Sequence, residues 1–220
     1  MIKELYNLYV GRWHFFLNLT LQHIEISVIS IVLATIIGLG LGIFISQYKR
    51  SSSTVLGITN FIYTIPSIAL FGFLIPFSGI GNTTAIVALT VYALLPMVRN
   101  TYTGITGIDK EITEAAKGMG STPFQILYKI ELPLAFPVIL SGIRNMVVMT
   151  IALTGIAAFI GAGGLGVAIY RGITTNNSAM TIAGSLLIAV LALFADWGVG
   201  CYEKYLSLIH ISEPTRRYAI

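Results

Sequence analysis

From residue 26 to residue 45 the chain runs through 20 positions without a charged side chain. At ~1.5 Å per helical residue that is enough to cross about 30 Å of hydrocarbon. Lys49 and Arg50 follow at once. From Ser51 to Val98 charge is again absent, over 48 residues, which is too long for one crossing. Pro76-Phe77-Ser78-Gly79-Ile80-Gly81-Asn82 supplies the turn that divides it. Two more apolar stretches follow a polar interval. The pattern predicts five spans, at 26–45, 55–75, 84–98, 135–159 and 179–199. It predicts an all-α membrane protein. Residues 1–21, with Lys3, Glu4, Arg12, Trp13, His14 and Phe15 among them, read as a short amphipathic lead-in at the interface.

Several positions inside these spans are informative. Gly38 and Gly42 stand four apart, the spacing that lets two helices approach closely. Pro66 and Pro96 are expected to kink their spans, which membrane helices tolerate where neighbours satisfy the freed carbonyls. Arg144 falls about a third of the way along the fourth span and needs a partner, with Glu131 or a nearby carbonyl the expected one. Ala152, Thr154, Gly155, Ala157 and Ala158 suit a tight helix contact, possible at a subunit interface. Gly161-Ala162-Gly163-Gly164-Leu165-Gly166 has the spelling of a dinucleotide-binding turn, but no strand precedes it. It reads as a flexible external loop. Phe61, Tyr63, Phe71, Phe73 and Tyr92 are aromatics of the second and third spans, open to packing or to lining a path.

Composition agrees with a membrane protein. The 220 residues are 55% hydrophobic and 10% charged, where soluble domains carry about 25% charged residues. The net charge of +4 is loop charge and no nucleic-acid patch. Lys49, Arg50, Arg99, Lys110, Lys117, Lys129 and Lys204 fall on one side, against Lys3, Arg12 and Arg171 on the other. The positive-inside rule therefore sets the N-terminus outside and the C-terminus in the cytoplasm, with Arg99 marking the inner end of the third span. Asp196 lies near the inner end of the fifth. The lone Cys201 excludes a disulfide framework, and His14 and His23 have no second ligand at metal spacing. The segment from Ile26 is too long for the core of a signal peptide.

The polar interval 109–133 reads as two short helices joined by a turn. Asp109 caps the first, Glu111 and Glu114 sit near its positive end, and Gly118 and Gly120 stop it. Ser121 or Thr122 caps the second, with Pro123 at its first position. Ile112, Ala115, Ala116 and Met119 share a face of the first, and Phe124, Leu127 and Ile130 a face of the second. Helices this short need something to dock on.

Glu114-Ala115-Ala116, Gly120, and Ile130-Glu131-Leu132-Pro133 at this spacing resemble the EAA loop of the membrane subunits of ABC importers that receive substrate from a binding protein. The stretches YTIPSIALFGFLIPFSGIG, YALLPMVRNTYTGI and FIGAGGLG are similar to permeases for osmoprotectants such as glycine betaine, carnitine and choline. The resemblance covers about residues 15–205. It implies a type I importer permease arrangement of about five spans in a bacterial cell membrane, with 109–133 as the cytoplasmic coupling loop. Glu114, Ala115, Ala116, Gly120, Ile130, Leu132 and Pro133 would engage an ATPase. The implied partners are a cytoplasmic ATPase dimer, an external binding protein, a second permease subunit, identical or paralogous, and membrane lipid. ATP and magnesium would be held by the ATPase, because this chain has no phosphate-binding G-x-x-x-x-G-K-[ST]. The chain is expected to be no enzyme. Methionine or another small solute is the alternative cargo. A secondary transporter is the rival class, and it has no use for a coupling loop. Residues 206–220 do not continue the pattern. Leu206–Arg216 resembles the translation of a transposase-based sequencing adapter, so this tail is expected to be non-native, with no role for His210 or Arg217.

Overall fold

The structure, a computed structural model, describes the backbone of residues 2–210 and the side chains of residues 2–203. The described residues form ten α-helices and no strand. They are α1 (Ile2–Gly11), α2 (Trp13–Gln47), α3 (Lys49–Thr64), α4 (Ser67–Ser78), α5 (Asn82–Thr106), α6 (Lys110–Gly118), α7 (Pro123–Ile126), α8 (Leu132–Thr154), α9 (Gly166–Thr174) and α10 (Ser178–His210). Four helices are long and apolar enough to cross a membrane, and the bent pair α3–α4 meets the same measure only when its two helices are taken together as one broken span. The expected non-native tail lies outside the described residues, apart from the backbone of α10 as far as His210.

The bundle is built around α5. A Cβ on Gly38 of α2 would stand 2.7 Å from the Met97 Cβ, and one on Gly42 would press on the Thr101 Cβ. On the other side of α5, Gly142 of α8 lies against Asn100 and Gly104 lies against Ala135 and Val138. These are the close approaches anticipated at Gly38 and Gly42, and they set α2 and α5 parallel in a fixed register. The same offset places Arg99 level with Gly40, within the apolar stretch 26–45. The α-helix itself does not end at Arg99. The helix runs on for two turns to Thr106, because nothing in Asn100–Thr106 breaks it.

Above and below this level the core divides into three parts. Phe71, Leu89 and Tyr92 pack with Ile26 and Ala157 at one end. Met97, Ala135, Ile139 and Met146 pack at the other. Phe16, Leu19, Leu165, Ala168 and Met180 join the start of α2 to α9 and α10.

Three expectations about the spans need correction. The predicted lead-in is only partly separate: α1 lies on the surface, but α2 already begins at Trp13. The span placed at 55–75 is broken, with α3 and α4 meeting at 102°. Ile65 is extended ahead of Pro66, at ψ 128°, as the proline ring requires, and Tyr92 donates its hydroxyl hydrogen to the Ile65 carbonyl. Pro96, by contrast, sits inside α5 without interrupting it. The fourth span ends at Thr154 and passes through a 3-10 turn, Ile156–Ile160. Four of its five small residues pack within the chain, while Ala152 is exposed. Thr154, Ala157 and Ala158 are buried, and Gly155 faces Ile188 of α10.

The glycine-rich loop after it is held rigidly, against the expectation of flexibility. Three successive backbone N–H groups are taken by side chains from α2 and α5. Gly163 donates to Asn82 Oδ1 (2.8 Å), Gly164 to Gln22 Oε1 (3.2 Å) and Leu165 to His23 Nδ1 (3.3 Å). Gly164 has φ +92°, where a side chain would strain the backbone and meet His23. His23 is fully buried. Its Nε2 donates to the Ile151 carbonyl (3.0 Å), so the ring is the neutral tautomer with hydrogen on Nε2. Beside it Thr154 donates to the Thr150 carbonyl, which leaves Ser27 to donate to Thr154 Oγ1 at 3.0 Å.

Two substitutions test this packing. Gly42→Val should destabilise the purified protein by about 1–3 kcal/mol through overpacking, read as a lower thermal midpoint in detergent. Gly40→Val, where a Cβ meets nothing within 4 Å, should leave that midpoint unchanged. His23→Leu should cost about 1–3 kcal/mol for each buried group left unpaired. His23→Gln, which can still accept and donate, should recover part of it.

Candidate functional site

The polar interval folds locally as its residues dictate. The Asp109 carboxylate accepts the Glu111 N–H at 3.0 Å and caps α6. Glu111 in the first turn and Lys117 in the last complement the helix dipole. At the other end Ser121 N–H donates to the Ala116 carbonyl (3.0 Å) and Gly120 N–H to the Lys117 carbonyl (2.9 Å). This pair of bonds is the Schellman closure, which needs a left-handed residue in the next position. Gly120 supplies it at φ +82°. Thr122, rather than Ser121, caps α7. Thr122 Oγ1 accepts the Gln125 N–H, and Gln125 Oε1 accepts the Thr122 N–H, with Pro123 at the first helical position.

The second helix is not the separate element expected from its spacing. α7 passes through a π turn, Leu127–Glu131, directly into α8, and Pro123–Thr154 is one continuous helix of 32 residues. Leu132 N–H reaches back to the Leu127 carbonyl. The wider turn fits a sequence in which Pro133 and Pro137 cannot donate to the usual carbonyls. At its base Gln47, the last residue of α2, donates from Nε2 to Glu131 Oε2 at 3.1 Å.

The shared faces divide on folding. Ala116 and Ile126 are buried, and Leu127 and Leu132 pack against the core. Ile112, Met119, Phe124 and Tyr128 remain exposed, Met119 at 81% and Phe124 at 73%. The Phe124 and Tyr128 rings are stacked, within 2° of parallel. Of the seven residues singled out, Glu114, Ala115, Gly120 and Pro133 are exposed, Ala116 is buried, and Ile130 and Leu132 are half-buried. A Cβ on Gly120 would meet nothing within 4 Å. The result is a firmly capped hairpin with an uncovered apolar surface, joined to a transmembrane helix without a hinge.

A second polar cluster ties α8 to α10. Arg144 makes a bidentate pair with Asp196, Nε to Oδ1 at 2.6 Å and Nη2 to Oδ2 at 2.7 Å, and its Nη1 donates to Glu203 at 3.2 Å. Gly200 lets the guanidinium lie against the helix backbone. The expected partner, Glu131, is occupied by Gln47. Asp196 and Glu203 are 52 and 59 residues from Arg144 in sequence, beyond the reach of local reasoning. Their shared face, two helical turns apart, is the signal that sequence reading missed.

The described residues thus form a bundle of four apolar helices and one bent pair, with one exposed polar hairpin. Residues 31–207 match the family described as binding-protein-dependent transport system inner membrane component, and the chain belongs to it. It is 41% identical over 210 residues to the Bacillus subtilis glycine betaine/carnitine/choline transport system permease protein OpuCD, covering 95% of this chain and 92% of that one. It is 46% identical over 185 residues to the osmoprotectant import permease protein OsmW of Salmonella typhimurium, covering 82% and 86%. Among solved structures it resembles the inward-facing MetNI methionine ABC transporter at TM-score 0.76 and 26% identity, over 84% of this chain and 93% of that one. An amino acid ABC transporter shares the fold at TM-score 0.72 and 19% identity, over 89% and 96%.

Proposed function

We propose that this chain is the permease subunit of an ATP-driven importer in a bacterial cell membrane, moving an osmoprotectant of the glycine betaine, carnitine and choline group by alternating access. The single observation that carries the cargo is the identity of about 40% to permeases named for those compounds. The exposed hairpin Lys110–Ile126 supports the coupling. On this reading a cytoplasmic ATPase dimer binds ATP and magnesium and covers Met119, Phe124 and Tyr128. Glu114, Ala115, Ala116 and Gly120 form the inserted arm, and Ile130, Leu132 and Pro133 join it to α8. Closure of the ATPases draws two hairpins together, and the rigid Pro123–Thr154 helix carries that motion into the bundle. The second subunit is a copy or a paralogue. An external binding protein delivers the cargo at the opposite end, where a cleft lined by Asn7, Leu8, Arg12, Asn176, Asn177 and Ala179 opens. The N-terminus lies outside, in keeping with Lys49, Arg50, Lys110, Lys117 and Lys129 at the hairpin end. The tail beyond Leu206 takes no part.

A second reading keeps the architecture and imports methionine or another small solute. It rests on the 26% likeness to the methionine transporter. Uptake of labelled glycine betaine, carnitine, choline and methionine, measured with the partner ATPase and binding protein, separates the two. In the same assay Glu114→Lys or Gly120→Val should lower uptake by about tenfold or more, within the ~1–3 kcal/mol typical of coupling between sites. The protein should still reach the membrane. Undiminished uptake by both variants would refute the coupling role.

A further inference from the structure

Three observations meet at the break between α3 and α4. The first is the polarity of α3. Ser53, Gly57, Asn60 and Thr64 recur at the spacing of one helix face, and none of them is buried. Ser53, Asn60 and Thr64 carry hydrogen-bonding side chains, Thr64 already bonded to the Phe61 carbonyl of its own helix, and an exposed face of this kind suits a water-filled path.

The second is Tyr63. Its ring lies edge-to-face with Tyr92, centroids 6.1 Å apart at 68°, and its hydroxyl donates to Met149 Sδ at 3.4 Å. Contacts with α5 and α8 thus orient the ring, yet the residue remains 46% exposed. Tyr92, which orients it, also holds the Ile65 carbonyl at the break. Of the other aromatics of these spans, Phe71 and Tyr92 are buried, Phe61 is exposed, and Phe73 is exposed against Phe77 of its own helix.

The third is Arg99. It lies level with Gly40 of the apolar helix α2, is exposed, and donates to Asn60 Oδ1 at 3.4 Å. Among the described residues no carboxylate pairs with it, whereas Arg144 has two. An unneutralised arginine at this depth belongs to a polar cavity and marks function. Asn60 and Tyr63 are three residues apart, so the guanidinium and the aromatic ring lie on the same side of α3, about one helical turn apart.

An aromatic face attracts a quaternary ammonium, and a guanidinium pairs with a carboxylate through two parallel hydrogen bonds. We infer that Tyr63 and Arg99 form a transit site for zwitterionic quaternary ammonium carboxylates, with the trimethylammonium group on Tyr63 and the carboxylate on Arg99. The inference rests on the osmoprotectant reading and sharpens it. Glycine betaine and carnitine satisfy both halves. Choline offers no carboxylate, and its charge meets that of Arg99. One aromatic face holds a cation weakly, as a site that must release its cargo requires.

The test uses the whole complex, permease, ATPase and binding protein, in vesicles at saturating loaded binding protein, so that the step after delivery is read. Arg99→Gln should lower carnitine and glycine betaine uptake by about tenfold, the scale of a charge-assisted hydrogen bond, while choline uptake holds or rises. Arg99→Lys should keep part of the carnitine uptake. Tyr63→Leu should lower all three by about three- to tenfold, the scale of a desolvated cation–π contact, and Tyr63→Phe should not. An equal loss of all three substrates in an assembled Arg99→Gln complex, or wild-type rates in Arg99→Gln and Tyr63→Leu, overturns the site. If Arg99→Gln does not assemble, the two Tyr63 variants decide, and equal rates in both overturn it. A wild-type complex that hydrolyses ATP but moves none of the three refutes the osmoprotectant reading, and the site with it.

Discussion

Helices in lipid gain little by hiding apolar side chains from one another, so their association depends on how closely the backbones approach. Here that approach is concentrated on one short stretch of α5. Met97 and Thr101 receive Gly38 and Gly42 of α2, and Asn100 receives Gly142 of α8. Between them Arg99 reaches Asn60 of α3. Little more than a single turn of one helix thus seats two neighbours by close approach and reaches a third through one hydrogen bond.

The hairpin depends on the same contacts at one remove. In hydrocarbon a broken helix leaves carbonyls that only protein or water can satisfy, and the chain uses breaks sparingly. It breaks at Ile65–Pro66, where Tyr92 supplies a hydrogen bond and a polar stripe lies nearby. It does not break at Pro133 or Pro137, where a π turn absorbs the missing donors. A force applied to Met119 or Phe124 therefore meets a stiff rod that is seated on α5 through Gly142 and tied to α10 through Arg144. That stiffness connects a surface hairpin with the interior of the membrane.

Much of this is legible in the chain because it rests on local rules. The uncharged runs locate five crossings. Gly38 and Gly42 announce their close contact, and Asp109, Gly120 and Pro123 spell the caps of the hairpin. The features that escape are non-local. Arg144 finds Asp196 and Glu203 across more than 50 residues of sequence. His23 is buried only because the Gly163–Leu165 loop folds back on it, and a glycine-rich spelling looks the same whether its amides are free or held. The continuation of α5 beyond Arg99 to Thr106 is hidden because a charge after an apolar run reads as the end of a helix. The 102° break is visible as Pro66, but its angle depends on Tyr92.

The central claim is that an ATPase seats on the α6–α7 hairpin. Cysteine cross-linking tests it most directly, in a Cys201→Ser background, with Met119→Cys on the hairpin and Ile36→Cys on the exposed membrane face of α2. A permease–ATPase cross-link from position 119, altered by ATP and absent from position 36, is the predicted result. A complex that stays intact and hydrolyses ATP, yet yields no cross-link from position 119 or from Phe124→Cys, would contradict the account.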